Sequence, residues 1–397
     1  MFTRTKKIVA AGFALLGLAL LCQEMVAAAQ SAQAERLAMH VVHLPIHSYR
    51  LLAMQMDEEG NIWFGSIHHV IHRYTPSTGA VKTIPLPGTS AHYNLWASQC
   101  IPVNKKVYIL GESYPKLIIY NPLTNQFTEK DYPSPKPDVW YAMAHPDHRH
   151  LYLFDRGGVG IIKWDSETDT GKTIPYPYQT PLPSFGTYRP GDQSIWCGIW
   201  DYTRGQYAPV GITRFDVKTD SFTGIYRFPK TDAHLKAYSD PEATLFFPWT
   251  LKGKLMPFDI KAKRWCKFIN VPEYGENFGF IGLSTLYQGK LYFSLSTYHG
   301  DENVGIDGKP YHFANSILVF DPQTSKFDFL TLNVPGAYYQ IAYSLSANGQ
   351  FYATGSNILT KDGTLFRDNK GDIVVWQTQP VRIRSGRSRE GHMGKKG

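Results

Sequence analysis

The sequence predicts an all-β fold: a seven-bladed β-propeller of four-stranded antiparallel blades, its ring closed by an N-terminal strand. Three observations carry this expectation. First, an aromatic-rich triplet recurs seven times, as Ile62-Trp63-Phe64, Val107-Tyr108-Ile109, Leu151-Tyr152-Leu153, Ile195-Trp196-Cys197, Leu245-Phe246-Phe247, Leu291-Tyr292-Phe293 and Phe351-Tyr352-Ala353. Second, each triplet is followed by an apolar run ending in an aromatic, as in "VIHRYTPSTG", "LIIYNPLTN", "IIKWDSETD" and "SILVFDPQTS". Third, a further run closes on proline, at Pro87, Pro133, Pro177, Pro229, Pro272 and Pro335. Successive triplets lie 45, 44, 44, 50, 46 and 60 residues apart. A repeat of this length holding four short strands is the pattern of a propeller blade.

Taken in chain order, residues 1–34 have a cationic start, an apolar stretch from Ile8 to Leu21 and a small-residue cleavage zone ending at Ala29 or Ala34, the form of a secretory signal. The apolar stretch is short for a spanning helix, and no other segment is long and apolar enough. Cys22 follows Leu21 where a lipoprotein carries a small residue, which argues against lipid anchoring. The chain is therefore expected to be secreted or periplasmic, without a membrane span. Residues 38–379 form the propeller. The seventh repeat ends at "DIVVWQTQP" without its last strand, and "AMHVVHLP", Ala38 to Pro45, has the alternating form that supplies it. It is expected to close the ring and cover an open sheet edge. The 60-residue offset arises from an insertion, Thr297 to Asn315, of the kind that forms a substrate wall or a solvated flap. Residues 380–397 are a basic, Gly-rich tail with no apolar period, expected to be disordered.

Charge is concentrated at the ends. The chain carries 41 basic and 33 acidic residues, a net of +8. The signal accounts for Arg4, Lys6, Lys7 and Glu24, and the tail holds Arg382, Arg384, Arg387, Arg389, Lys395 and Lys396 against Glu390. The propeller is thus close to neutral, which argues against a nucleic-acid partner. Without Cys22, an odd set remains, Cys100, Cys197 and Cys266, with neither a zinc spacing nor a disulfide framework. These are expected to be small core hydrophobes. No cofactor is predicted, although the fold leaves open a structural cation in the central channel. A monomer is expected.

Strands of a blade are called A to D from the channel outward; B–C turns and D–A connections then share one face. The triplet of the first repeat is strand B, Ile62 to Ser66, and Ile71 to Tyr74 is strand C, so His68 and His69 occupy the first B–C turn. The next D–A connection, "GTSAHYNLW", brings His92 and Tyr93 toward them. The same face is expected to carry Arg156, Tyr188, Arg189, Trp200, Arg204, His234, His299 and Tyr339. Aromatic side chains interleaved with Arg and His suit a cleft for a sugar or an anion. Against this, a histidine in an exposed turn also serves as a plain polar turn residue. His72 is expected to be structural, and His145, His148 and His150 to surround an A–B turn on the opposite face.

The unit "GNIWFGSIHHVIHRYTPSTGAVKTIPLP" resembles the repeat of streptogramin B lyases, propellers that open a lactone by elimination. Those carry Thr-Glu after the triplet, where this chain has Gly65-Ser66, Gly111-Glu112 and Asp155-Arg156. The arrangement is also similar to seven-bladed polysaccharide lyases, of the ulvan lyase and rhamnosyl-glucuronate lyase type, and to related propeller rhamnosidases. In those groups a B–C turn histidine, a second about twenty residues on, and a downstream Tyr and Arg frame the site. The resemblance gives these places to His68 or His69, His92, Tyr188 and Arg189. It implies an enzyme that cleaves an anionic, uronate-containing polysaccharide or oligosaccharide by β-elimination. Such a reaction needs a group titrating near neutrality to move a proton, which suits the histidines and Tyr188. It also needs a cation to take up charge on the carboxylate, which suits Arg189 or Arg156. An α-L-rhamnosidase-type glycosidase, a lactone-opening lyase and a non-catalytic propeller that binds glycan or protein stand as alternatives.

Overall fold

The structure, a computed structural model, describes residues 38–43, 51–66, 69–87, 97–111, 114–157, 160–178, 182–201, 208–229, 233–239, 245–250, 254–270, 285–287, 289–294, 316–331, 338–347, 350–359 and 373–379. Expectations about the signal, the basic tail and the insertion from Thr297 to Asn315 fall outside these residues. No helix among the described residues is long and apolar enough to cross a membrane. By its internal contacts the chain divides into a main body, Val41–Gln377, and a small unit from the two terminal stretches, of which only 38–40 and 378–379 are described.

Strand β1 is Ala38–His43. The first sheet follows as β2 (Leu51–Met56), β3 (Ile62–Ser66), β4 (Val70–Thr75) and β5 (Ala80–Pro85). The second comprises β6 (Ala97–Val103), β7 (Lys106–Gly111), β8 (Lys116–Asn121) and β9 (Gln126–Asp131). The third comprises β10 (Val139–Ala144), β11 (His150–Asp155), β12 (Gly160–Asp165) and β13 (Thr170–Pro175). The fourth comprises β14 (Leu182–Arg189), β15 (Ser194–Asp201), β16 (Ala208–Asp216) and β17 (Ser221–Arg227). Each is an antiparallel meander paired in sequence order, a four-stranded propeller blade.

The fifth repeat departs from expectation. Strands β18 (Ala233–Ser239) and β19 (Leu245–Thr250) are long, but β20 (Lys254–Leu255), β21 (Phe258–Asp259), β22 (Arg264–Trp265) and β23 (Ile269–Asn270) are two-residue fragments. Pro257 divides what would be strand C, because proline has no N–H to give a ladder. Its carbonyl instead accepts from the Cys266 N–H at 2.8 Å. Regular pairing returns in β24 (Thr285–Tyr287), β25 (Lys290–Ser294), β26 (Ser316–Asp321) and β27 (Lys326–Thr331). The last sheet holds β28 (Tyr338–Ala347), β29 (Gln350–Leu359) and β30 (Ile373–Gln379), with β1 paired at its edge. The expected N-terminal strand thus occupies the fourth place of that sheet.

The repeated C–D turn has one physical basis. An Asp or Asn at the end of strand C accepts hydrogen bonds from backbone N–H groups two or three residues on. Asn121 takes Leu123 (3.0 Å), Asp165 takes Glu167 (2.9 Å), Asp216 takes Lys218 (3.0 Å), Asp259 takes Ala262 (2.8 Å) and Asp321 takes Gln323 (2.9 Å). Such a side chain mimics a backbone turn. The turn's last residue has positive φ in every case: Gly79, Asn125, Asp169, Asp220, Lys263 and Ser325. The aromatic residue just before the cap is buried each time, as Tyr74, Tyr120, Trp164, Phe215, Phe258 and Phe320.

Apolar clusters lie between neighbouring sheets. Trp63, Ile71, Ile84 and Leu86 of the first pack on Val107, Ile109, Ile118 and Tyr120 of the second, and comparable clusters join second to third, third to fourth and fourth to fifth. Turn residues add polar links across the same boundaries: Asp169 holds Lys106 at 2.6 Å and the Tyr108 hydroxyl at 2.7 Å, and Asp220 holds Lys163 at 2.9 Å. First strands pack in succession, β2 on β6, β6 on β10, β10 on β14 and β14 on β18, while β28 packs on both β24 and β2. This is the arrangement of a propeller about a central axis. Cys100 and Cys197 are buried as expected, whereas Cys266 is only half-buried; all three are free thiols.

Candidate functional site

Because each sheet is a meander, A–B and C–D turns lie at one end of its strands, and B–C turns and D–A connections at the other. The site expected from the sequence belongs to the second end. There His69 follows β3 and precedes β4, with φ of 55°. A non-glycine residue in this left-handed region carries strain of about 1–2 kcal/mol, so something must hold it. The carbonyl of His69 accepts the Leu86 N–H at 2.8 Å, tying the turn to the end of β5. Its Nδ1 is buried and has no hydrogen-bond partner among the described residues. His68, His92 and Tyr93 lie outside those residues.

Two sheets on, the B–C turn of the third sheet places Arg156 at the same end. Its guanidinium pairs with Asp138 (Nη2 to Oδ2 2.8 Å), and its backbone N–H donates to the Asp138 carbonyl at 3.0 Å. Beneath them Asp155 is 0 % exposed, and its Oδ1 accepts the N–H groups of Asp138 (2.8 Å) and Gly157 (3.1 Å). Asp155 Oδ2 and the hydroxyl of Tyr132 are buried without partners among the described residues. Gly157 is required here, since a Cβ would stand 1.8 Å from the Lys136 carbonyl oxygen. Burial pushes the Asp138 carboxyl up from its ordinary range, the Arg156 charge opposes this, and Asp155 adds to it. The positive charge of Arg156 is therefore offset locally. Asp138 and Tyr132 are functional candidates that the sequence reading missed. "DYPSPKPDVW" is a D–A connection, and the rule that selected His92 would have selected them too.

Register places three further candidates at this end. Trp200 in β15 pairs with Leu182 and Pro209, His234 in β18 with Trp249, and Tyr339 in β28 with Asn357. Arg204 and His299 lie outside the described residues.

Tyr188 and Arg189 are corrected. They end β14, opposite Ile195 and Ser194, against the short 3-10 turn Pro190–Asp192, which is an A–B turn. From the sequence both are expected on the face of the B–C turns and D–A connections, but the D–A connection is already over when β14 starts at Leu182. Along a strand of this length the two ends stand about 20 Å apart, so neither residue shares a site with His69. Tyr188 instead meets His145 of the third sheet's A–B turn, ring centroids 4.8 Å apart and edge-on. Arg189 pairs with Asp192 at 3.2 Å. Around them Asp147 Oδ2 receives His150 Nδ1 at 2.6 Å and His145 Nδ1 at 3.0 Å. Burial acts upward on the Asp147 carboxyl, but hydrogen bonds from His150 and Arg149 outweigh it and leave its pKa well below the usual range. The histidines of "AHPDHRH" thus surround an A–B turn, as expected. Among the described residues no group of three or more His, Cys, Asp or Glu side chains is arranged to hold a metal ion.

Fold and packing define the class: an all-β propeller built of four-stranded antiparallel blades. Solved structures of the same fold include a streptogramin B lyase, at 14% sequence identity and a TM-score of 0.60, the match covering 86% of this chain and 97% of that one. Another is a catalytically inactive histidine-to-alanine variant of virginiamycin B lyase from Staphylococcus aureus with quinupristin, at 12% identity and a TM-score of 0.55, covering 86% and 98%. No protein-family model matches the chain, and no curated protein matches it significantly.

Proposed function

We propose that this chain is an exported propeller lyase that cleaves a uronate-containing polysaccharide by β-elimination, on a ring of seven blades closed by β1. The observation that carries the reading is His69: an imidazole on a strained left-handed turn residue, clamped by Leu86 at the B–C end of the first sheet. Non-glycine residues of positive φ also close the C–D turns, so what sets His69 apart is its place at the B–C end and its buried, unpartnered Nδ1. The lyase names of two proteins sharing the fold support an elimination chemistry.

In this reading the doublet His68-His69 supplies the base that takes the proton from C5 of the uronate. The electron pair left behind forms the C4–C5 double bond as the C4–O bond breaks. His92 returns a proton to the departing oxygen. The substrate carboxylate is assigned to Arg156 and Arg204, with Asp138 moderating the charge of Arg156, and the sugar subsites to Trp200, His234, His299, Tyr93 and Tyr339. The substrate class rests on the mix of aromatic and cationic side chains in the B–C and D–A segments.

The test is incubation of the full chain with a panel of uronate-containing polysaccharides and one streptogramin B, following ultraviolet absorbance of the conjugated product and new reducing ends. An unsaturated uronate is the expected product. Loss of a general base lowers a rate by about 10²–10⁴-fold, and His69→Gly should do so without loss of stability, since glycine relieves the turn. Reducing ends without an unsaturated product would indicate a glycosidase, and lactone opening alone a streptogramin-type lyase. Binding without turnover, or a His69→Gly variant as fast as wild type, would remove the proposed mechanism.

A further inference from the structure

A cavity of about 150 Å³ opens between the first and second sheets, at the A–B and C–D end and away from the site discussed above. Cavities of roughly this volume take up a molecule the size of benzene. Its floor is Trp63, which is 1 % exposed and fixed by its indole N–H donating to Asp57 at 2.7 Å. Over that ring lies Arg73, its guanidinium carbon 5.8 Å from the centroid, within the range of a cation–π contact. Arg73 forms no ion pair among the described residues, and its Nε is buried without a partner.

The walls differ in sign. Glu58 and Glu59 form one side, from the A–B turn of the first sheet, and Lys105 lies on the other, from the A–B turn of the second. The lip beside Lys105 is Pro122 and Leu123, and Leu123, at 78 % exposure, is the one large hydrophobe exposed among the described residues. Neighbouring charges are already engaged, Lys106 by Asp169 at 2.6 Å and Asp57 by Asn61 and Trp63, while Glu58 meets His148 Nδ1 at 3.3 Å and Glu59 accepts from the Asn61 side-chain amide at 3.3 Å, partners that a ligand ammonium would have to share. Two carboxylates and two cations thus line one small space, Lys105 from the second sheet and Arg73, Glu58 and Glu59 from the first, with Leu123 exposed at its edge.

We propose that this cavity binds a free α-amino acid with an apolar side chain. The α-carboxylate takes the guanidinium of Arg73 and the ammonium of Lys105, the α-amine takes Glu58 and Glu59, and the side chain covers Leu123. A simple anion would meet the glutamates and a simple cation the arginine, whereas a compact zwitterion satisfies both walls.

Leucine serves as the probe, titrated calorimetrically into the full chain alongside N-acetyl-leucine, leucinamide and leucylglycine. Losing one charge-assisted contact costs about tenfold or more in affinity, so the acetylated and amidated derivatives should each bind at least that much more weakly than leucine. Arg73→Met should weaken leucine by a similar factor, and Leu123→Ser, at an exposed position that folding does not need, by a smaller one. Absence of saturable leucine binding would overturn the proposal. So would blocked derivatives that bind as well as leucine, or affinity unchanged in both variants. Leucylglycine binding more tightly than leucine would show that the pocket reads a peptide and would overturn the free amino acid.

Discussion

His72 shows how much one buried side chain can impose on the chain's response to pH. It is 0 % exposed on β4, stacked on Phe64 with ring centroids 5.3 Å apart, and its Nδ1 meets the Thr83 hydroxyl at 2.9 Å. Its Nε2 is buried without a partner among the described residues. Burial disfavours the charged ring and lowers its pKa from 6.5 to about 4. The unfolded chain therefore binds a proton at a higher pH than the folded one does. Stability owed to neutral His72 is complete above about pH 6.5 and declines as pH falls toward 4. At roughly 1.4 kcal/mol per pKa unit the loss is about 3 kcal/mol. Chemical unfolding of the wild type between these pH values should show this slope, and His72→Leu should flatten it. An unchanged slope in the variant would mean that the imidazole is hydrated.

At the scale of elements, each C–D turn needs a residue with positive φ at its last place, and the first sheet meets the need with Gly79 at 70°. No atom lies within 4 Å of the site a Cβ would occupy, so alanine there costs conformation alone. Gly79→Ala should lower stability by about 1 kcal/mol. Gly191→Ala, equally open but without positive φ, should be close to neutral. Equal thermal shifts for the two variants would overturn the account. The edge strand β1 offers a stronger test. A chain beginning at Ile46 lacks the partner of β30 and exposes an edge, so its melting temperature should fall with increased aggregation. A soluble product melting like the full chain would show that β1 is dispensable.

Over the whole molecule, stability is distributed in boundaries between neighbours, because each apolar cluster joins one sheet to the next. Such a body tolerates the loss of any segment that belongs to no boundary. Residues 380–397 have no apolar period and hold a net charge of +5. Deleting them should leave the unfolding transition in place and lower the isoelectric point from about 9.0. A loss of cooperativity on truncation would show instead that the tail packs.

Local chemistry made the sheets legible in the sequence. Aromatic triplets, apolar runs ending in an aromatic and runs closing on proline marked the strands, and Pro257 marks in retrospect where the fifth sheet breaks; the capping Asp or Asn with its positive-φ residue emerged from the structure. These signals act over two to four residues, so no distant partner is needed to read them. The B–C position of His69 followed from counting along one such repeat. Which end a side chain occupies depends on where its strand begins, and that was settled only by pairing. With β14 starting at Leu182, Tyr188 falls beside His145 and far from His69. Contacts such as Arg156 with Asp138, or Asp169 with Lys106 and Tyr108, link residues tens of positions apart or set in different turns. No periodicity encodes them, because they arise only when sheets close on one another, and tertiary packing alone decided which charges are neutralised and which, like Arg73, are left to meet a ligand.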